Sequence, residues 1–276
     1  PVSRGWPALV GWGGLEVRPI APLSLLATVD RSFRAPNLDD LTSRQQTGPG
    51  FQFENAELEP ERALSFEVGA RLRTPWIEAD LFGYRSSVQA AIVRALRSEG
   101  DCPSGIPQCQ ASFTRLQLVN LAGEATIMGA EAGLRGWLPL GFSLAATLAY
   151  AHGEGPNPQP NRAPSEPAVV PLSRSRPLNG TASARWQAPF GRYLGSAFRW
   201  ATLQDRLAPS DRSDERIPIG GTPGFAVVDV RAGYRWQRQF LVAAVLENVG
   251  DAAYRQHAST INGAGHRVRV HVQAGF

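Results

Sequence analysis

Four histidines, two cysteines, two acidic clusters and twenty-eight basic residues are the side chains with chemistry to offer in this 276-residue sequence. All of the basic residues are arginine, which removes every mechanism that needs a lysine amine, from the Walker A phosphate loop to Schiff-base catalysis. His152, His257, His266 and His271 form no HExxH helix motif and pair with no C-x-x-C. No G-x-S-x-G elbow presents a serine, and GWGG and GGTPG lack the strand and helix that flank a dinucleotide loop. Asp39 and Asp40, and likewise Asp211, Asp214 and Glu215, match no calcium-loop spacing and carry or adjoin arginine, so they read as solvated loop charge. No catalytic residue, metal site or cofactor is expected. The formal charge of +4 is spread as single arginines without a basic stripe, so no nucleic-acid partner is expected either. Cys102 and Cys109 sit in CPSGIPQC, whose spacing suits a local disulfide in an oxidising compartment better than a metal pair.

The elements that must position these residues follow from a period of two. In the last residues His266, Val268, Val270, Val272, Ala274 and Phe276 share one face, while Arg267, Arg269, His271 and Gln273 share the other. The same alternation sets Leu64, Phe66, Val68, Ala70 and Leu72 against Ser65, Glu67 and Arg71, and Ala226, Val228, Val230, Ala232 and Tyr234 against Asp229 and Arg231. It predicts about eleven strands of roughly ten residues, starting near Leu9, Leu23, Ala63, Trp76, Thr126, Phe142, Leu178, Tyr193, Phe225, Phe240 and His266. Short turns near residues 19–22, 73–75, 138–141, 188–191 and 237–239 alternate with long polar loops near 35–61, 94–114, 153–173, 204–223 and 256–263. No apolar run approaches the length of a membrane-spanning helix, so a membrane protein of this kind must cross with strands. Trp76, Trp137, Trp186 and Trp236 each adjoin a short turn, the placement expected of an interfacial aromatic belt. Mid-strand charges such as Glu67, Glu131, Arg185 and Asp229 suit a wet lumen and would be costly inside a sandwich. The fold expected is therefore all-β, an antiparallel transmembrane β-barrel. A secreted sandwich or lectin-like module with the greasy face turned inward is the alternative, and a passive porin shares the architecture.

SFRAPNLDDL (32–41) followed by NAELEPERALSFEVGARL (55–72) resembles the TonB-dependent receptors of Gram-negative outer membranes. DLFGYRSSVQAAIVR (80–94), NLAGEATIMGAEAGL (120–134) and VLENVGDAAYRQHA (245–258) continue the resemblance in the same order. It implies a barrel of about 22 strands with an N-terminal plug, residence in the outer membrane, and uptake of a scarce ligand driven by the TonB complex. About eleven strands then make residues 1–276 the C-terminal half of the barrel, with the plug and the first barrel half absent, and a chain that begins at Pro1 reads as a processed or truncated product. Phe276 matches the family's terminal aromatic signal for the barrel assembly machinery. Arg44, Gln45, Gln46, Phe51, Phe53 and His257 are the candidate ligand contacts in the extracellular loops, and the disulfide-bearing loop 94–114 is a further contact surface. Residues 37–54 hold no histidine, unlike haem receptors of the family, which lowers haem; the loop contacts suit an anionic or aromatic ligand, and within the resemblance a ferric siderophore is the one expected.

Overall fold

A strand exposed to hydrocarbon must satisfy its backbone groups by pairing, because lipid offers no hydrogen bonds. In the computed structural model, which describes residues 4–159, 163–236 and 239–275, that pairing is continuous. Eleven strands lie in one antiparallel sheet in chain order: β1 (Gly11–Ile20), β2 (Leu23–Arg34), β3 (Glu61–Arg73), β4 (Ile77–Gln89), β5 (Glu124–Leu138), β6 (Phe142–Pro156), β7 (Asn179–Gln187), β8 (Arg192–Ala201), β9 (Phe225–Trp236), β10 (Phe240–Glu247) and β11 (Arg267–Ala274). Each start lies within two residues of the position read from the alternation. A short strand, Val169–Pro171, pairs with the far end of β6. The sheet is not closed, and β1 and β11 are its two edges.

Register places the apolar residues on one face. Leu25, Ala70 and Leu81 are cross-strand partners, and so are Leu246 and Val268. That face is uncovered, with Val68 63% and Val270 67% exposed. A sandwich would lay a second sheet across it, and among the described residues none does. The opposite face carries ion pairs across neighbouring strands: Arg71 and Arg73 to Asp80 at 3.0 and 2.9 Å, Arg199 to Asp229 at 3.2 Å, and Arg267 and Arg269 to Glu247. All five arginines are at least a third exposed, so each pair is worth at most about 1 kcal/mol. Their main consequence is a polar interior surface.

The four tryptophans sit at the short-turn end, but the register divides them. Trp186 and Trp236 are on the apolar face, stacked on Phe142 at 6.2 Å and Phe240 at 5.8 Å. Trp137 alternates onto the face of Arg135 and Glu131, and its backbone N–H donates to the backbone carbonyl of Trp76 at 2.8 Å.

Two short connections share one conformation. In Pro139–Gly141 and Pro189–Gly191 the middle residues, Leu140 and Phe190, have φ near +60° (62° and 61°), and Gly141 and Gly191 follow at 81° and 83°. A Cβ on Gly191 would sit 2.0 Å from the carbonyl oxygen of Arg235. Gly191→Val should therefore cost about 1–3 kcal/mol and reduce the heat-modifiable, folded band of the complete barrel on an unboiled gel. An unchanged folded fraction would refute this account of the turn.

Candidate functional site

The long connections all emerge at the end of the wall opposite the short turns, and they are more ordered than their polar composition suggests. Gln45–Thr47, Gly50–Phe53, Arg115–Asn120 and Ile92–Arg97 form a second, four-stranded sheet in that spatial order, in which Gly50–Phe53 runs parallel to Arg115–Asn120. The alternation predicts loops at 35–61 and 94–114; the first two of these strands and most of Ile92–Arg97 fall inside them, while Arg115–Asn120 lies beyond. A small apolar core accompanies the pairing: Phe51 and Phe53 of the sheet form one buried cluster with Ile106 and Cys109 of the connection between its last two strands. The Cys102–Cys109 disulfide closes over it.

Phe51 and Phe53 are thus only 6% and 2% exposed and hold the loop sheet together. The expectation that they touch a ligand is corrected: aromatic rings in a polar loop are as readily its core as its recognition surface. Arg44 forms a two-pronged ion pair with Glu54. Burial pushes the Glu54 carboxyl up, but the Arg44 hydrogen bonds, a backbone hydrogen bond and the Arg44 charge together hold the group below the usual carboxylate range. Gln46 donates to the carbonyl of Thr47 at 3.2 Å and stays exposed. Gln45 alone of the loop 37–54 candidates lines a cavity, one of about 500 Å³ beneath the loop sheet.

That cavity brings together residues from four connections, among them Asp39, Gln52, Glu61, Arg94 and Arg174. Asp40 and Glu61 share Arg34, at 2.8 Å for Asp40. Arg94, a residue the sequence reading did not single out, donates its Nε–H to Gln52 at 3.1 Å. Among the described residues none accepts from its two terminal amino groups. Burial pushes the Arg94 guanidinium below its ordinary pKa, and nearby Arg174 and Arg216 push the same way against Asp214 and Asp211. It remains charged at any physiological pH. A half-buried guanidinium with open donors on a cavity is an anion-recognising arrangement.

The acidic cluster at 211–215 is also corrected. Asp211 and Asp214 are 2% and 3% exposed instead of solvated. Asp211 accepts from Ser173 and from the backbone of Arg174 at 3.1 Å and Ala208 at 3.3 Å, so it ties loop 157–178 to loop 202–224. Asp214 accepts from Arg216, through the backbone at 3.0 Å and Nε at 2.7 Å. Burial pushes its carboxyl up, yet the Arg216 hydrogen bonds and the charges of Arg216 and Arg174 together lower it. Among the described residues no group of three His, Cys, Asp or Glu side chains gathers as a metal site would.

His257 lies apart from the main cavity. Its Nδ1 is 2.9 Å from Thr222 Oγ1 and its Nε2 is buried without a partner. It borders a smaller cavity of about 250 Å³ with Arg176, Arg199, Trp200 and Phe225. Burial lowers its pKa despite the opposing pull of Asp211 and Asp214, which favours the neutral ring.

A family model described as "TonB dependent receptor-like, beta-barrel" matches residues 9–249. The chain belongs to the TonB-dependent receptor family, whose members are outer-membrane proteins. Its fold is shared with the copper transporter OprC (TM-score 0.75, 21% identity, 97% of this chain and 39% of that one). The FrpB iron transporter from Neisseria meningitidis is similar at TM-score 0.70 and 18% identity, over 97% and 38% of the two chains. A Serratia marcescens haemophore receptor, HasR, solved with its haemophore HasA and haem, matches at TM-score 0.71 and 20% identity over 96% and 39%. The chain thus spans about two-fifths of the length of these structures. No curated protein matches the chain.

The residues that carry the family resemblance prove to be joints between loops and wall. Arg34 and Asn37 of FRAPN anchor the helix Leu38–Thr42, with Asp40 N–H donating to Asn37 Oδ1 at 2.7 Å. Asn55 reaches the carbonyl of Leu118 at 2.8 Å, and Asn120 reaches those of Glu59 and Ala90, both at 2.8 Å. Asn248, 2% exposed and at φ 49°, donates to the carbonyls of Ala252 and Ala264 at 2.9 and 3.0 Å.

Two measurements test this reading of the loops. Asp214→Asn should loosen the 202–224 loop by about 1–3 kcal/mol, less than a wholly buried pair because Arg216 keeps some contact with water. Because the folded pKa of Asp214 is depressed, its contribution is present above the unfolded value near 3.9 and is lost as pH falls through the folded one. Hydrogen exchange of this loop should therefore quicken in acid for the native protein and become less acid-sensitive in the variant; identical acid profiles would exclude the pair. Cys102→Ser with Cys109→Ser should cost the loop sheet about 2–3 kcal/mol and expose residues 98–114 to limited proteolysis, whereas unchanged cleavage would show that the staple is dispensable.

Proposed function

We propose that this chain is the C-terminal half of the barrel of a receptor that imports a ferric siderophore, and that Arg94 and its cavity take part in holding the anionic chelate. The observation that carries this reading is the half-buried Arg94, which lines a cavity of about 500 Å³ and whose two terminal amino groups have no acceptor among the described residues. Gln45 and Arg174 line the same space and add donors. A chelate of this kind presents carboxylate, catecholate or hydroxamate oxygens, which match guanidinium donors. Solved structures with the same fold include one titled as a ferric-catecholate import receptor and one titled as a ferric enterobactin receptor. His257 and the exposed Gln46 are secondary candidates, closer to solvent or in the smaller cavity.

The two open edges support a preceding barrel half. β1 and β11 are exposed along their whole length, and a lipid-facing edge with unpaired backbone groups is not tolerated. A preceding set of strands would pair with both and close the barrel, and an N-terminal plug would fill the lumen and offer the TonB complex its contact. Phe276, proposed as the signal to the barrel assembly machinery, lies outside the described residues. The tryptophans at the short-turn end are proposed to sit at the periplasmic lipid interface, Trp186 and Trp236 from the lipid side, with Trp76 and Trp137 nearer the interior.

The test is uptake and binding by the complete receptor. Iron delivered as a ferric siderophore should enter cells only when TonB is functional. Arg94→Gln should weaken binding of the ferric chelate about 10- to 100-fold, the loss of one or two charge-assisted hydrogen bonds. Tight binding retained by Arg94→Gln would end the assignment of this cavity, and uptake independent of TonB would end the transport reading.

A further inference from the structure

We propose that the outward surface of β2, β3 and β4 is a binding site for a phosphate-bearing anionic lipid headgroup, gripped by Arg31, Arg62 and Arg85. The proposal rests on the outer-membrane placement of the family and not on the identity of the transported ligand.

The register supplies the site. On the apolar face β2 presents Leu23, Leu25, Ala27 and Val29, then Arg31. β3 presents Leu72, Ala70, Val68, Phe66 and Leu64, then Arg62, and β4 presents Ile77, Ala79, Leu81 and Gly83, then Arg85. Each arginine is thus the first residue past an unbroken apolar row, at the loop-bearing end of its strand. An apolar band of four or five alternate residues is close to the ~25 Å expected for a barrel's hydrocarbon belt. The three guanidinium groups therefore emerge where hydrocarbon gives way to the outer headgroup layer.

Their electrostatic surroundings distinguish them from the interior charges. On the inner face of the same strands arginines are matched by carboxylates, as Arg71 and Arg73 are by Asp80. On the outer face of β2 to β4 there is no Asp or Glu at all. Arg31, Arg62 and Arg85 are exposed, and among the described residues none forms an ion pair or hydrogen bond through its side chain. Acidic residues return to this face only on β5 and β6, as Glu124 and Glu154, and Glu154 already faces His152 at 3.2 Å. The patch is three like charges wide with no internal compensation.

Geometry suits a single headgroup. Arg31 is paired with Leu64, two residues from Arg62 on β3, and Leu64 is paired with Ser87, two residues from Arg85 on β4. With strands about 4.8 Å apart and about 3.3 Å of rise per residue, the three Cα atoms fall within roughly 15 Å. Long, flexible arginine side chains can converge over that span. Guanidinium forks bind phosphate oxygens bidentately, and at a hydrocarbon boundary the anion within reach is the headgroup of a neighbouring lipid. A solute in the lumen is on the other side of the wall.

The experiment uses the complete receptor in nanodiscs of neutral phosphatidylcholine, with or without lipid A as the phosphorylated probe. Lipid A should raise the unfolding midpoint of the native protein and remain bound in native mass spectra. The triple variant Arg31→Gln, Arg62→Gln, Arg85→Gln should lose more than half of both effects, and Arg212→Gln, in an extracellular loop, should lose neither. Inorganic phosphate at equal concentration should not reproduce the shift. If the triple variant does not assemble, Arg62→Gln and Arg85→Gln singly should each retain at least twofold less lipid A. An undiminished lipid A effect in the variants, or an equal effect from inorganic phosphate, would overturn the proposal.

Discussion

The backbone hydrogen bond in a medium that cannot replace it is the constraint on which everything else in this molecule depends. Within hydrocarbon each unpaired N–H or C=O costs several kcal/mol, so the wall strands must lie beside one another in chain order, joined by the shortest turns available. Once that ladder is set, the pleat assigns each residue to lipid or lumen without further choice. The valines of β11 and the arginines that alternate with them face different solvents because they are consecutive, not because either was selected by a packed core. The wall itself buries little, and among the described residues its apolar face stays uncovered.

The extracellular end obeys different rules. Beyond the hydrocarbon, water can satisfy the backbone, and the loops are free to fold as small soluble units. They do so around a true core, with Phe51, Phe53, Ile106 and the Cys102–Cys109 bridge at its centre. Buried carboxylates replace lipid as the organising force: Asp211 joins two loops through backbone donors, and Asp214 binds Arg216. Such groups are tolerable when buried only because each is fully partnered. The cavity beneath the loop sheet is what remains where these joints leave space, and it is lined by Arg94, whose two terminal amino groups have no acceptor among the described residues.

Wall and loops meet through the asparagines and arginines of the family motifs. Arg34, Asn37, Asn55, Asn120 and Asn248 each hydrogen-bond segments distant in sequence or stabilise a backbone turn at the rim. The motifs through which the family is recognisable are thus mechanical, and they say how loops are held more than what the loops hold. That explains why relatives with copper, iron and haem in their titles share this fold at about 20% identity.

The sequence by itself determined the wall: strand number, positions, faces, and the alternation of short and long connections. These are local consequences of a two-residue period, and the physical rule behind them, pairing under lipid, has one solution. The local disulfide and the family were legible for the same reason, since close spacing and ordered motifs survive without tertiary detail. What only the tertiary structure decided lies in the loops. Phe51 and Arg94 are close in type to many loop residues, and nothing in their neighbours along the chain says that one is core and the other lines a cavity. Their roles depend on contacts between segments distant in the chain, such as Gly50–Phe53 against Arg115–Asn120, and such contacts follow from packing that no periodicity records. The same holds for Asp211 and Asp214, whose charge suggests water and whose partners, brought from another loop or turned back onto the chain, keep water out.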